Sequence, residues 1–285
     1  MMLNLLMRVP GILGTFNSDL LWLERTFIPG LDPLIQLTKG PRVLDVDDAI
    51  WIMNPLGVAA AKYAARSVDV ILAGNSFLAN WYSEYCDHVH VVPTSVDIAR
   101  YMPRGEAAKD RPFVVGWTGT SSNFKYLIQI ESALARFLSS HSEARLMIVA
   151  DRRPEFRQIP AERLDFFPWS VATEASILRQ MDVGIMPLDD TDWSRGKCSF
   201  KMLQYMATAL PVVVSPVGMN AEILQRGFIG FGAATNDDWF DQLDLLYKDR
   251  DLGAKLGAAG AELVRSTYST AVIANRVAAI FREIV

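Results

Sequence analysis

Asp182–Glu222 reads DVGIMPLDDTDWSRGKCSFKMLQYMATALPVVVSPVGMNAE, and its rhythm decides the fold. VGIMPL (183–188) is a short apolar run of buried-strand type, and PVVVS (211–215) is a second, β-branched one. Between them FKMLQYMA (200–207) puts apolar groups at helical spacing, and PVGMNAE (216–222) opens another helix. A polar loop with Ser194, Arg195, Gly196 and Lys197 joins the first strand to its helix, and Lys201 follows one turn later. In a parallel α/β sheet, a loop at a strand's carboxyl end that opens a helix is where anionic ligands bind. The stretch therefore points to a phosphate-bearing ligand.

Outward from it, strand-like runs alternate with helical ones along nearly the whole chain. The runs are 19–25, 42–47, 68–74, 89–95, 113–119, 144–150, 163–169, 183–188, 211–215 and 228–233. Helical patterns fill most gaps, for example 54–66 and 123–139. Such alternation predicts doubly wound parallel sheets. At 97–112 the pattern breaks into a polar stretch with two prolines, read as a linker. This divides the chain into a partial α/β domain over 1–110, a ligand-binding α/β domain over 111–266, and a C-terminal helix over 267–285. That helix is amphipathic, with Ile273, Val277, Ile280 and Ile284 near one face. It fits packing within the second domain or a strap returning to the first. The first domain has four strands and no glycine-rich opening unit, so it is expected to be a fragment or a naturally reduced domain.

Composition narrows the classes. Hydrophobic residues make up 51% of 285, enough for a sizeable core, and the formal charge of -4 argues against a nucleic-acid partner. Cys86 and Cys198 stand far apart, which fits free thiols in a reducing, cytoplasmic compartment. The three histidines show no metal-ligand spacing. The apolar opening MMLNLLMRVPGILG (1–14) is broken by Arg8, Pro10 and Gly11. It is shorter than the roughly 20 residues of a spanning helix and lacks a signal-peptide pattern. It fits a buried helix better than a membrane-surface one, and peripheral membrane contact stays open as the second reading.

The 182–222 stretch resembles the donor-binding core of the family 4 glycosyltransferases, which have the GT-B fold. The matching positions are Asp182-Val183 with Pro187, Gln204-Tyr205-Met206-Ala207, Leu210-Pro211-Val212-Val213, and Gly218 with Glu222. VVPTSVD (91–97) resembles the family's interdomain motif, and VVGWTGTSSNFKYL (114–127) its first donor-domain strand and loop. DVDDAIW (45–51) and AGNSFLANWY (73–82) resemble acceptor-domain strand ends. The resemblance implies two Rossmann-type domains facing a cleft, the first one incomplete. It also implies retaining transfer of a hexose-type sugar from a nucleoside diphosphate sugar to a glycan, lipid-linked or small-molecule acceptor, with no cofactor and no metal. Two rival readings are a degenerate, non-catalytic sugar-nucleotide binder or partner subunit, and a GT-B-fold epimerase. Two glutamates usual in the family are replaced here by Gly196 and Gln204. An amide at 204 still offers hydrogen bonds to a hydroxyl, so Gln204→Glu is expected to preserve binding.

Individual residues carry two readings each. Gly119, Thr120 and Ser121 suit a pyrophosphate with N–H groups and hydroxyls, or a plain helix cap. Lys197 and Lys201 share one helix face if the helix starts by 197, and two such cations repel unless an anion lies between them. They are assigned to leaving-diphosphate stabilisation, with Arg195 as a helper. Lys197→Ala should then weaken diphosphate binding more than nucleoside binding. Asp151 and Trp169 end strands, where they meet ribose or base, although Trp169 fits core packing equally well. Glu222 approaches the donor by resemblance, or serves as a favourable charge at a helix start. Asp47, Asp48 and Asn75 end first-domain strands and either cap helices or face the acceptor. Neighbouring strand residues point to opposite faces, so at most one aspartate faces it.

Overall fold

The computed structural model describes residues 14, 18–24, 40–53, 55–103, 105 and 111–285. The opening apolar segment (1–13) and the linker centre (104 and 106–110) lie outside the described residues.

The chain forms two compact units. The first comprises Met1–Thr94, Thr191–Cys198 and Ile273–Val285, and the second Ser95–Asp190 and Ser199–Val272. The first unit holds a four-stranded parallel sheet in the order β1 (Leu21–Glu24), β2 (Arg42–Val46), β3 (Val70–Ala73), β4 (Val89–Val91). Helices Gly57–Arg66 and Ser76–Tyr82 make the crossovers on either side of β3. Its core joins Val43, Val70, Leu72 and Val92 to Ile273 and Ile280 of the C-terminal helix Thr270–Ile284. Phe281 of that helix meets the Trp22 ring edge-on at 5.3 Å. The amphipathic stripe of the tail is thus spent on the first unit's sheet.

The second unit holds six parallel strands: β5 (Val114–Thr118), β6 (Arg145–Ala150), β7 (Leu164–Pro168), β8 (Val183–Met186), β9 (Val212–Val214) and β10 (Gly230–Gly232). Their order is β10-β9-β8-β5-β6-β7. The chain starts in the middle of the sheet, winds out to β7, and returns beyond β5 to build the other half. The reversal between β5 and β8 is a topological switch point, where loops at the carboxyl ends diverge and leave room for a ligand. β5, β8 and β9 are buried along their lengths, the pattern of strands covered on both faces by helices. Asp182 locks the start of β8 beside β5 by accepting from Val114 N–H at 2.8 Å and from the Arg111 guanidinium at 2.6 Å. Two α/β parallel-sheet domains, as the alternation predicted, are what the chain forms. Among the described residues no helix is long and apolar enough to cross a membrane.

Two local departures matter for the site. The helical run 123–139 divides at Ile130 into helices Phe124–Gln129 and Glu131–Ser140. More important, Lys197 and Lys201 do not share a helix. A short helix, Asp192–Arg195, is capped by the Thr191 hydroxyl and stops at Gly196. Ser199 then adopts a left-handed backbone (φ 52°), and the next helix begins at Phe200. The expected i, i+4 pairing fails because a left-handed residue interrupts the helical path between the two lysines. Ser199 is fixed there by donating its hydroxyl to buried Asn220 at 2.7 Å.

Candidate functional site

The carboxyl ends of β5, β6 and β7 frame a cavity of about 270 Å³ lined by Thr118, Gly119, Thr120, Asp151, Trp169, Glu174, Phe200, Lys201 and Gln204. Its walls follow from packing beneath them. The Thr118 N–H donates to the phenol of fully buried Tyr205 at 2.8 Å, tying the end of β5 to the helix Phe200–Ala207. Gly184 on β8 makes room for that phenol ring, since a Cβ there would sit 2.2 Å from it. Gly119 is a glycine for a similar reason: a Cβ would lie 2.5 Å from Lys201 Cε and 2.6 Å from the buried Trp117 ring. The Lys201 stem therefore crosses directly over the turn that ends β5. This sets a cation against a loop with backbone donors, an arrangement that suits an anion.

The turn itself is tied to β6. Ser121 donates its N–H at 2.6 Å and its hydroxyl at 2.7 Å to the two oxygens of Asp151. These two bonds hold the Asp151 carboxyl below the ordinary carboxylate range. Ser121 is accordingly a tie between loops rather than an open donor. Thr120 Oγ1 lies 2.8 Å from Ser122 Oγ and accepts from Asn123 at 2.9 Å, closing the turn Ser121–Asn123.

The cavity wall includes a buried carboxylate that the sequence did not single out. Glu174 opens the helix Glu174–Leu178, yet it is only 5% exposed. Oε1 accepts from the Trp169 indole at 2.9 Å and from Thr118 Oγ1 at 3.3 Å. Oε2 accepts from the Tyr101 phenol at 2.6 Å and from Gln204 Nε2 at 3.2 Å. Arg100 adds a cation at 3.5 Å. Burial, then the bond to Glu174, pushes the Tyr101 phenol up to about 12. Gln204 also donates to the Tyr101 oxygen at 2.6 Å. The amide at 204 is thus a donor to a carboxylate, and a glutamate there would place two carboxylates together. The expectation that Gln204→Glu preserves binding therefore has to be met with a second carboxylate beside Glu174.

The remaining sequence-derived candidates fall elsewhere. Glu222 is in the first turn of helix Met219–Leu224, outside the residues that line the cavity. Arg195 and Lys197 belong with Asp47, Asp48 and Asn75 to the first unit. Asn75 is 1% exposed and its amide is fully occupied. The oxygen caps helix Ser76–Tyr82 by accepting from Leu78 N–H, and the nitrogen donates to the carbonyls of Arg195 at 3.1 Å and Lys197 at 3.0 Å. Asp47 offers its carbonyl to the Cys198 thiol at 3.0 Å. Burial, then the negative charge of Asp47, pushes that thiol up, so it is inert as a nucleophile. Gly196 packs on Ala49, where a Cβ would stand 2.6 Å from its Cβ and 2.9 Å from its nitrogen. No side chain fits at 196 without displacing Ala49, which accounts for the missing carboxylate there. Lys197 Nζ lies over the Trp193 ring at 4.9 Å. Among the described residues no group of three or more His, Cys, Asp or Glu side chains is placed to hold a metal ion.

Sequence and structure comparisons bear on the fold and the family resemblance. Residues 112–249 match the family model described as glycosyl transferases group 1. No curated protein matches the chain in sequence. Similar solved structures include HepE of Anabaena in complex with UDP-glucose, with 14% identity, 96% of this chain and 81% of that one covered, and a TM-score of 0.76. A glycosyltransferase of Rickettsia africae has 14% identity, covers 99% and 80%, and gives a TM-score of 0.74. Sucrose-phosphate synthase of Thermosynechococcus elongatus has 12% identity, covers 96% and 75%, and gives a TM-score of 0.72. At such identities the likeness is one of fold. Residues 112–249 thus resemble the group 1 glycosyl transferases in sequence, and the two parallel-sheet domains share the GT-B fold of these solved structures.

Proposed function

We propose that the protein is a retaining, metal-independent glycosyltransferase that moves a hexose-type sugar from a nucleoside diphosphate sugar to a glycan, lipid-linked or small-molecule acceptor. The observation that carries this reading is Lys201 laid across Gly119 at the carboxyl end of β5, beside the switch point. The diphosphate would bind at this turn, with Lys201 and the N–H groups of Gly119 and Thr120 as its donors. Charge grows on the leaving diphosphate in the transition state, so fixed donors stabilise it more there than in the ground state. A lysine supplies the positive charge that a divalent cation supplies in other transferases, and no cofactor is needed. The incoming hydroxyl is guided by the leaving phosphate on the same face, so no protein nucleophile is required. The UDP and UDP-sugar complexes of HepE support a nucleotide-sugar donor by likeness of fold. A cytoplasmic location, with or without peripheral membrane contact, suits such a donor.

Calorimetric titration with UDP, GDP and ADP beside the corresponding nucleosides tests this. Lys201→Ala should weaken the best diphosphate at least tenfold, about 1.4 kcal/mol, and leave its nucleoside unchanged. Lys197→Ala, measured in parallel, tells whether the first unit's loop shares the work. Equal losses for diphosphate and nucleoside would sink the assignment of Lys201.

A second reading, a sugar-nucleotide binder without transferase activity, is favoured by Gln204 and Gly196 standing at the positions of two carboxylates. Turnover of a nucleotide sugar to free diphosphate, assayed with an acceptor panel, separates the two.

A further inference from the structure

Ser199 breaks two local rules at once. Its backbone is left-handed (φ 52°, ψ 25°), a region that a residue with a Cβ enters at a steric cost. It also stands directly before the helix Phe200–Ala207, where a serine hydroxyl ordinarily accepts from the first backbone N–H groups. Here the hydroxyl makes no cap and donates instead to Asn220 Oδ1 at 2.7 Å. Both residues are buried, at 2% and 0% exposure.

Asn220 is held in turn by groups at the carboxyl ends of two strands. Its Nδ2 donates to the Ser215 carbonyl, just beyond β9, at 3.1 Å. Ser215 Oγ accepts from the N–H of Leu188, just beyond β8, at 2.9 Å. A buried chain of hydrogen bonds thus runs from the strand ends to one strained residue. Strain of this kind persists only where the surroundings hold it, and it gathers at functional sites.

The result of the strained turn lies two residues on. The Ser199 carbonyl accepts from Leu203 N–H at 3.1 Å, so the helix starts at once and Lys201 falls in its first turn. A cation there has the same sign as the helix dipole, an unfavourable placement that an anion relieves. The same start carries the Lys201 stem over Gly119. An ordinary N-cap has an extended backbone and would send the helix off on another path.

Resting on the donor reading above, we propose that Asn220 is a positioning residue for Lys201. It acts through the Ser199 hydroxyl, holding the left-handed turn so that the ammonium is aimed at the diphosphate before the donor arrives. Without that bond the turn relaxes in the free protein, and diphosphate affinity falls with the fraction of molecules that keep the left-handed form. A nucleoside makes no use of the lysine and is unaffected. Glycine takes the left-handed backbone without steric cost, so it makes the bond largely dispensable.

The test is calorimetry with UDP, uridine and pyrophosphate. GDP with guanosine, or ADP with adenosine, replaces the uridine pair if it binds better. Ser199→Ala should weaken diphosphate and pyrophosphate roughly fivefold and leave the nucleoside unchanged. Ser199→Gly should lose less. Asn220→Ala should lose at least as much as Ser199→Ala, and the double variant no more than Asn220→Ala alone, because the same bond is already gone. In the Lys201→Ala background, Ser199→Ala should cost nothing further. Thermal unfolding establishes that each variant is folded, and the Ser199 variants decide the matter if Asn220→Ala is not. An unchanged diphosphate affinity in Ser199→Ala, with the Lys201→Ala loss intact, would overturn the positioning role and leave the diphosphate site standing. So would a Ser199→Ala loss that is equal for the nucleoside, that persists in the Lys201→Ala background, or that Ser199→Gly matches. Failure of all three nucleotides to bind would overturn this inference together with the donor reading.

Discussion

The two polar loops that the sequence marks as anion sites are held in opposite ways. The turn after β5 is tied through side chains of its own unit, with Ser121 bound to Asp151 and Lys201 passing over Gly119. The 194–198 loop is gripped mainly by its backbone, through Asn75 on two carbonyls, the Cys198 thiol on Asp47 and Gly196 against Ala49. The first is anchored by exposed groups that water can replace, the second by buried ones that it cannot. The second loop is therefore the one whose shape is costly to change, and its side chains Arg195 and Lys197 are presented on a rigid base.

Three substitutions probe that contrast, in order of expected size. Asn75→Ala removes a helix cap and leaves two loop carbonyls without their donor, which should cost about 3 kcal/mol. Urea unfolding measures it, and a loss below about 1 kcal/mol would mean that the grip lies elsewhere. Gly196→Ala drives a methyl into Ala49 and should cost about 1–3 kcal/mol. A neutral result by the same measurement would show that the loop yields after all.

Asp151→Asn should have the smallest effect, and it should depend on pH. The folded carboxyl is held low by Ser121, so its contribution is complete above the range where a free carboxyl titrates. It is lost as pH falls through the lowered value. The melting-temperature gap between wild type and Asp151→Asn should be level from neutral pH to about pH 5 and close below it. A gap that widened on acidification would contradict the Ser121 ties.

Much of the fold was legible because β-branched apolar runs, helical spacing and turn residues agree with one another along this chain. Every one of the ten strand-like runs contains a strand. The turn after β5 was legible for the same reason, and Gly119, Thr120, Asp151, Trp169, Lys201 and Gln204 do line one cavity. Glu174 was not, because an acidic residue at a helix start reads as a solvated charge, and only tertiary packing buries it among four donors. The double use of Asn75 was half legible. Its cap follows from position, but its bonds to residues 120 and more positions away do not. The separation of Lys197 from Lys201 turned on one backbone angle at Ser199, for which serine carries no local signal.

The excursion of Thr191–Cys198 into the first unit has a practical consequence for dissecting the molecule. A piece cut at Ser95 and ending at Val272 would keep those eight residues as an unsupported insert, stripped of Asn75, Ala49 and Asp47. The Cys198 thiol, 7% exposed in the whole chain, would then meet solvent and oxidant. Cys198 is the one cysteine of that piece, so it should form disulfide-linked dimers unless Cys198 is replaced, and reversible, thiol-dependent dimers would report that the insert has lost its seat.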